Sequence, residues 1–206
     1  MSGADVVDVQ FSLSGRALPA DYAELLWQEL LKILPWLQHE EGIGVHPITG
    51  VSHGNGEWYL SRRSHLTLRL PQHRADAAAM LSGMPLSLAG HEIVPGHLSR
   101  RELRETPVIY AKFVAMRPAS DTPIDEVDFH AACQSEFERL GIRPKMICGK
   151  PQRLRTSDGL LSGFSLMLYE LESEANLRLQ YEGLGVGRSH GCGIFVPHKS
   201  GTALER

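Results

Sequence analysis

The chain has 206 residues, 42% of them hydrophobic and 22% charged, with a formal net charge of −3, the balance of an ordinary soluble globular protein rather than of a globally basic one. No stretch approaches the roughly 18 apolar residues of a membrane span, and Met1 to Asp5 lacks the basic and apolar regions of a secretory leader, so no membrane partner is expected. Three cysteines without paired spacing, Cys133, Cys148 and Cys192, fit free thiols in a reducing cytoplasm better than a disulfide framework or a zinc site.

In chain order, Asp5 to Ser14 alternates Val7, Val9, Phe11 and Leu13 with polar neighbours and predicts a strand. Pro19 and Asp21 open a helix in which Tyr22, Leu25, Leu26, Glu29, Leu30 and Ile33 keep helical spacing, stopping at Pro35 or soon after. Ile43 to Val51 is β-prone and punctuated by glycines, and Trp58 to Leu70 predicts another strand. Pro71 begins a second helix through Ala75 to Leu81, and Leu86 to Leu98 returns as a strand. The order then recurs. Pro107 to Met116 predicts a strand, and Asp121 or Thr122 with Pro123 opens a helix to Leu140 closed by Gly141. Met146 to Thr156 and Gly159 to Glu170 form a hairpin about Ser157-Asp158-Gly159. Ser173, with Asn176 to Tyr181, predicts a short helix, and Gly183 to Val196 carries a glycine loop into the final strand. Two ferredoxin-like (RRM-like) βαββαβ domains in tandem, an α+β fold over residues 1–104 and 105–206, account for this order.

The most informative stretch is Gly183-Leu184-Gly185-Val186-Gly187-Arg188-Ser189-His190-Gly191-Cys192-Gly193. Glycines permit positive φ and close approach of another chain, and their successive N–H groups can cradle an anion beside an arginine. A dinucleotide fingerprint needs a helix to start within the glycines, and Ile194-Phe195-Val196-Pro197 is β-prone instead. The Lys199-Ser200 pair does not complete a Walker loop, because His198 stands where a glycine belongs and Pro197 lacks an N–H. No nucleotide cofactor is therefore expected. Composition alone leaves a flexible, solvated hairpin as the alternative.

The same loop resembles that of the CRISPR repeat-processing endoribonucleases of the RAMP superfamily: Gly-hydrophobic-Gly-hydrophobic, a basic insert, then Gly-hydrophobic-Gly before the last strand. Gly183 to Val186 fits the first part and Gly191-Cys192-Gly193 the last, while the insert Gly187 to His190 is one residue shorter than usual. Gly44-Val45-His46-Pro47-Ile48 and Leu68-Arg69-Leu70-Pro71 resemble the MYXAN subtype of these nucleases. The resemblance implies the same tandem fold and a metal-independent endoribonuclease that cuts the repeat in a CRISPR precursor transcript. It implies guide RNAs ending in a 2′,3′-cyclic phosphate and a 5′-hydroxyl. The enzyme would remain on the repeat stem-loop and join other subunits of an effector complex.

Cutting RNA without a metal requires activation of the 2′-hydroxyl, a proton for the 5′-oxygen and a counter-charge for the phosphorane. No His-Glu-x-x-His, paired Cys-x-x-Cys or dense carboxylate cluster predicts a metal site. Of ten histidines, two follow the first helix, where the resemblance puts the general acid/base: His46, in the glycine-bounded stretch, and His39, beside Glu40 and Glu41. His39 also suits a helix C-terminus for macrodipole reasons. His53, His65, His73, His91 and His97 are assigned to loops and strand faces. By resemblance Tyr22 positions a phosphate or the 2′-hydroxyl, with packing as its other role. Arg62 and Arg63 could grip the scissile phosphate or simply occupy a solvated turn. The acid-free run of Lys150, Arg153 and Arg155 could track an RNA backbone, the two arginines lying on one strand face, or be simply a solvated basic loop. In the loop, Gly185, Gly187, Arg188, Ser189, His190 and Gly191 are expected against the repeat RNA. Two other functions compete: a RAMP-type RNA-binding subunit without turnover, and a small-molecule-binding ferredoxin-like tandem, which the acidic net charge favours.

Overall fold

In a computed structural model, residues 6–53, 56–117 and 121–198 are described, so Lys199 and Ser200 lie outside the described residues. The chain forms two compact units, Met1–Glu102 and Leu103–Arg206. No helix among the described residues is long and apolar enough to cross a membrane.

In the first unit, β1 (Val6–Gly15) buries Val7, Val9 and Phe11 and turns Asp8, Gln10 and Ser12 the other way. After β2 (Ala17–Pro19), α1 (Tyr22–Ile33) lays Leu26 and Leu30 into the core. Pro35 cannot continue an α-helix, and the chain tightens into a 3₁₀ turn over Pro35–His39. There follow β3 (Gly44–Val45), β4 (Val51–His53), β5 (Glu57–Tyr59) and β6 (His65–Pro71). The single strand expected over Trp58 to Leu70 is thus divided. A turn at Ser61–Ser64 breaks it, and β5 joins β2 and β4 in a separate three-stranded sheet.

The second expected helix is also different: Gln72–Arg74 and Ala77–Leu81 are 3₁₀ turns. Ala75, Ala78 and Leu81 are the buried residues here, and a spacing of three matches the three residues per turn of that helix, not α-helical geometry. Then come β7 (Leu86–Leu88) and the long β8 (His91–Glu102). The main sheet runs β3-β6-β1-β8-β7. Without the short β7, the antiparallel ferredoxin-like order remains.

The second unit begins with β9 (Val108–Val114). Its helix α2 (Glu126–Leu140) starts later than Pro123 suggested, because the Asp125 carboxylate accepts the Asp128 N–H at 2.8 Å and sets the N-cap there. Phe129, Cys133 and Phe137 form its buried stripe, and Gly141 ends it at φ 70°. A hairpin of β10 (Lys145–Thr156) and β11 (Gly159–Tyr169), then α3 (Ser173–Glu182) and the two-residue β12 (Val196–Pro197), complete the sheet β10-β11-β9-β12. This repeats the strand order of the first unit. Cys133 and Cys192 are buried and Cys148 half-buried, all as free thiols.

Candidate active site and nucleic-acid interface

Strands β1 and β6 pair antiparallel, with Asp8 opposite Arg69 and Gln10 opposite Thr67. Side chains alternate across a strand, so these four share the face turned away from Val9, Phe11, Leu66 and Leu68. Arg69 has no exposed surface. Its Nε donates to Asp8 Oδ1 at 2.7 Å and its Nη2 to Oδ2 at 2.9 Å, a two-point clamp that fixes the carboxylate plane. Pairing of β3 with β6 sets Gly44 opposite Arg69 and delivers the chain to His46, whose N–H donates to the Thr67 carbonyl at 2.9 Å. The His46 side chain is 13% exposed, and its Nε2 lies 3.2 Å from Asp8 Oδ1. Burial alone would raise the Asp8 pKa. The hydrogen bonds from His46 and Arg69 outweigh it and hold the carboxyl well below the usual carboxylate range.

Tyr22, at the start of α1, aims its hydroxyl at the backbone two residues beyond His46. The hydroxyl accepts the Ile48 N–H at 2.6 Å and donates to the Ile48 carbonyl at 3.4 Å. Burial pushes its pKa up to about 12, against the opposing pull of the Ile48 hydrogen bond. A second staple follows: Ser64 Oγ donates to the Thr49 carbonyl at 2.6 Å and accepts the Ser61 N–H at 3.0 Å. The turn so fixed presents Arg62 and Arg63 to solvent, neither with an ion-pair partner among the described residues. His39 ends its 3₁₀ turn exposed and makes no side-chain hydrogen bond among the described residues. Its neighbour Glu40 is engaged by Arg74.

In the second unit much of the glycine loop's backbone is bonded to the sheet and to itself. Val186 donates to Ala115, Gly193 to Phe113, Leu184 to Gly193, and both His190 and Cys192 to Gly187. A Cβ on Gly185, at φ 77°, would stand 2.2 Å from the Ala115 carbonyl oxygen. The glycine there is demanded by docking on the sheet. Arg188 also turns inward: Nη2 donates to the Tyr181 carbonyl at 3.0 Å in the last turn of α3, and the guanidinium covers Gly183. Ser189 Oγ and His190 Nδ1 lie 2.9 Å apart at the rim of a cavity of about 410 Å³, which Gly187 also lines. Gly191 takes φ 89° to close the turn.

Exposed charge lies instead on the edge strand β10. Lys150, Arg153 and Arg155 are solvent-facing without an ion-pair partner among the described residues, and the two arginines share one face. Among the described residues no His, Cys, Asp and Glu side chains gather as a metal ion would require. Sequence reasoning missed Asp8 and Arg69. The available signal was a charged residue flanked by valines in one strand and another flanked by leucines in a second, but the register that joins them is not written locally.

Two units repeating one antiparallel strand order define a tandem ferredoxin-like protein. The same fold is found in the product of a Cas6-related gene from Pyrococcus furiosus, at TM-score 0.70 and 14% identity over 95% of this chain and 99% of that one. A Thermus thermophilus Cse3 bound to an RNA representing a pre-cleavage complex is similar at TM-score 0.51 and 13% identity, over 93% and 98%. The chain belongs to the Cas6 family, whose model, described as Cas6 Crispr, matches residues 7–200. It is 33% identical over 191 residues to the CRISPR-associated endonuclease Cas6 of Myxococcus xanthus (strain DK1622), covering 93% of this chain and 81% of that protein.

Proposed function

We propose that this chain is an endoribonuclease that cuts the repeat of a CRISPR precursor transcript without a metal and stays on the repeat stem-loop as its product. Family membership supports the reaction class. The observation that carries the site is His46, a titratable ring beside the Asp8–Arg69 ion pair and 13% exposed. In this reading the 2′-oxygen attacks the adjacent phosphorus, the bond to the 5′-oxygen breaks, and a 2′,3′-cyclic phosphate and a 5′-hydroxyl result. His46 moves a proton in that exchange, and Arg62 and Arg63 meet the charge that grows on the phosphorane. Lys150, Arg153 and Arg155 track the RNA backbone, as a salt-sensitive phosphate contact would. His39 is given no catalytic part, because no side-chain hydrogen bond among the described residues orients its ring. The enzyme works in the cytoplasm beside other subunits of an effector complex.

The test is incubation of the purified protein with the repeat RNA of its own locus in excess chelator, with mapping of both product ends. Cyclic-phosphate and 5′-hydroxyl ends are expected. Strict dependence on an added divalent cation overturns the mechanism, and tight binding without any cut leaves an RNA-binding subunit.

A further inference from the structure

We propose that Asp8, clamped by Arg69, is a positioning residue that fixes the tautomer of His46, so that any proton exchanged with RNA passes through Nδ1. This rests on the assignment of His46 to the chemistry. An ionised carboxylate only accepts hydrogen bonds, so the ring nitrogen facing Asp8 at 3.2 Å must be the one that carries hydrogen. That nitrogen is Nε2, and Nδ1 is left as the basic atom of the neutral ring. The carboxylate has no freedom to turn away, since both its oxygens are bonded to the guanidinium of a residue with no exposed surface. Arg69 cannot give up its proton, so it keeps the carboxylate charged, and the carboxylate keeps the tautomer.

A buried aspartate–arginine pair can also serve stability alone, with the histidine a bystander. What distinguishes His46 from a bystander is that Arg69 already spans both oxygens of Asp8 without it. The imidazole is an added third arm, placed there by the β3–β6 pairing and by the Tyr22 staple on Ile48.

The experiment uses the full chain with 15N-labelled histidine. Long-range 15N–1H correlation should show His46 as the Nε2–H tautomer in the wild type and a mixture in Asp8→Asn, whose amide can donate as well as accept. Single-turnover cleavage of repeat RNA should fall on the order of 100-fold or more in Asp8→Asn, the scale of a general acid or base held in the wrong tautomer, with RNA affinity unchanged. In His46→Ala, adding Asp8→Asn should cost nothing further. Arg69→Lys keeps a cation beside Asp8 but cannot span both carboxylate oxygens, so it should loosen the tautomer and slow cleavage as well as lower the melting temperature. A wild-type Nδ1–H tautomer, additive losses in the double variant, or normal cleavage by folded Asp8→Asn beside an inactive His46→Ala each overturns the positioning role. Normal cleavage by His46→Ala is a different failure, which removes the assignment of His46 and this inference with it.

Discussion

The Tyr22 hydroxyl and the Ile48 backbone are tied by two hydrogen bonds, 2.6 Å from the N–H and 3.4 Å to the carbonyl, across 26 residues of chain. A hydroxyl so committed holds the segment that carries His46. With a pKa near 12 it is also a poor proton donor or acceptor at neutral pH. Tyr22→Phe should therefore cost about 1 kcal/mol of stability, the value of a typical buried hydrogen bond. Single-turnover cleavage should slow only several-fold, with no change in RNA affinity. A loss as deep as that of His46→Ala would place the phenol itself in the reaction.

His46→Ala should slow single-turnover cleavage on the order of 100-fold or more, as expected for loss of a general acid or base. His39→Ala should cleave at close to the wild-type rate. His39 is exposed at the end of a 3₁₀ turn with no hydrogen-bond partner for its ring among the described residues, whereas His46 is oriented by a carboxylate. Rapid-quench kinetics on both variants decides between them, and the reverse result would move the chemistry to His39.

The tandem organisation was legible because binary patterning is local: alternating Val7, Val9 and Phe11, the Phe129-Cys133-Phe137 stripe, and the Gly141 stop each declare their own element. The 3₁₀ turns at Gln72–Arg74 and Ala77–Leu81 were not legible as such, since alanine favours an α-helix and only the packing of Ala75, Ala78 and Leu81 imposes a period of three. His46 stood out through its glycine-bounded segment, but its partners did not. Asp8 and Arg69 are 61 residues apart and meet through strand register, which no window of sequence contains. Arg188 shows the converse. Its neighbours spell an anion loop, while its guanidinium belongs to the end of α3.

Acid should reveal the Asp8 cluster in stability. The native pKa of Asp8 lies below its ordinary value of 3.8, so its contribution is fully present above the unfolded-state value and is lost as pH falls through the lower native one. Wild-type stability should accordingly drop more steeply below about pH 4 than that of Asp8→Asn, which has no carboxylate to protonate. Urea titrations of both proteins at a series of acidic pH values measure the difference. Parallel curves would mean that Asp8 titrates alike in the folded and unfolded chain.

The exposed arginines of β10 and the inward arginine of the glycine loop should separate cleanly between binding and stability. Arg153 and Arg155 face solvent on one side of an edge strand with no acidic partner among the described residues. Neutralising one phosphate contact changes the log–log salt slope by about one unit, less on single strands. Arg153→Ala and Arg155→Ala should each flatten the salt dependence of repeat-RNA binding by about that amount and leave the melting temperature unmoved. Arg188→Ala should do the opposite. It frees the Tyr181 carbonyl at the end of α3 and uncovers Gly183, so it should cost about 1–2 kcal/mol of stability, with little change in salt slope once folded. Gly185→Val is the sharper companion, because its Cβ would collide with the Ala115 carbonyl and undock the loop from the sheet. Affinities at two salt concentrations, with thermal melts of all four variants, read both quantities. A reduced salt slope in Arg188→Ala at wild-type stability would put that guanidinium on RNA, and an unchanged slope in both β10 variants would take those arginines off it.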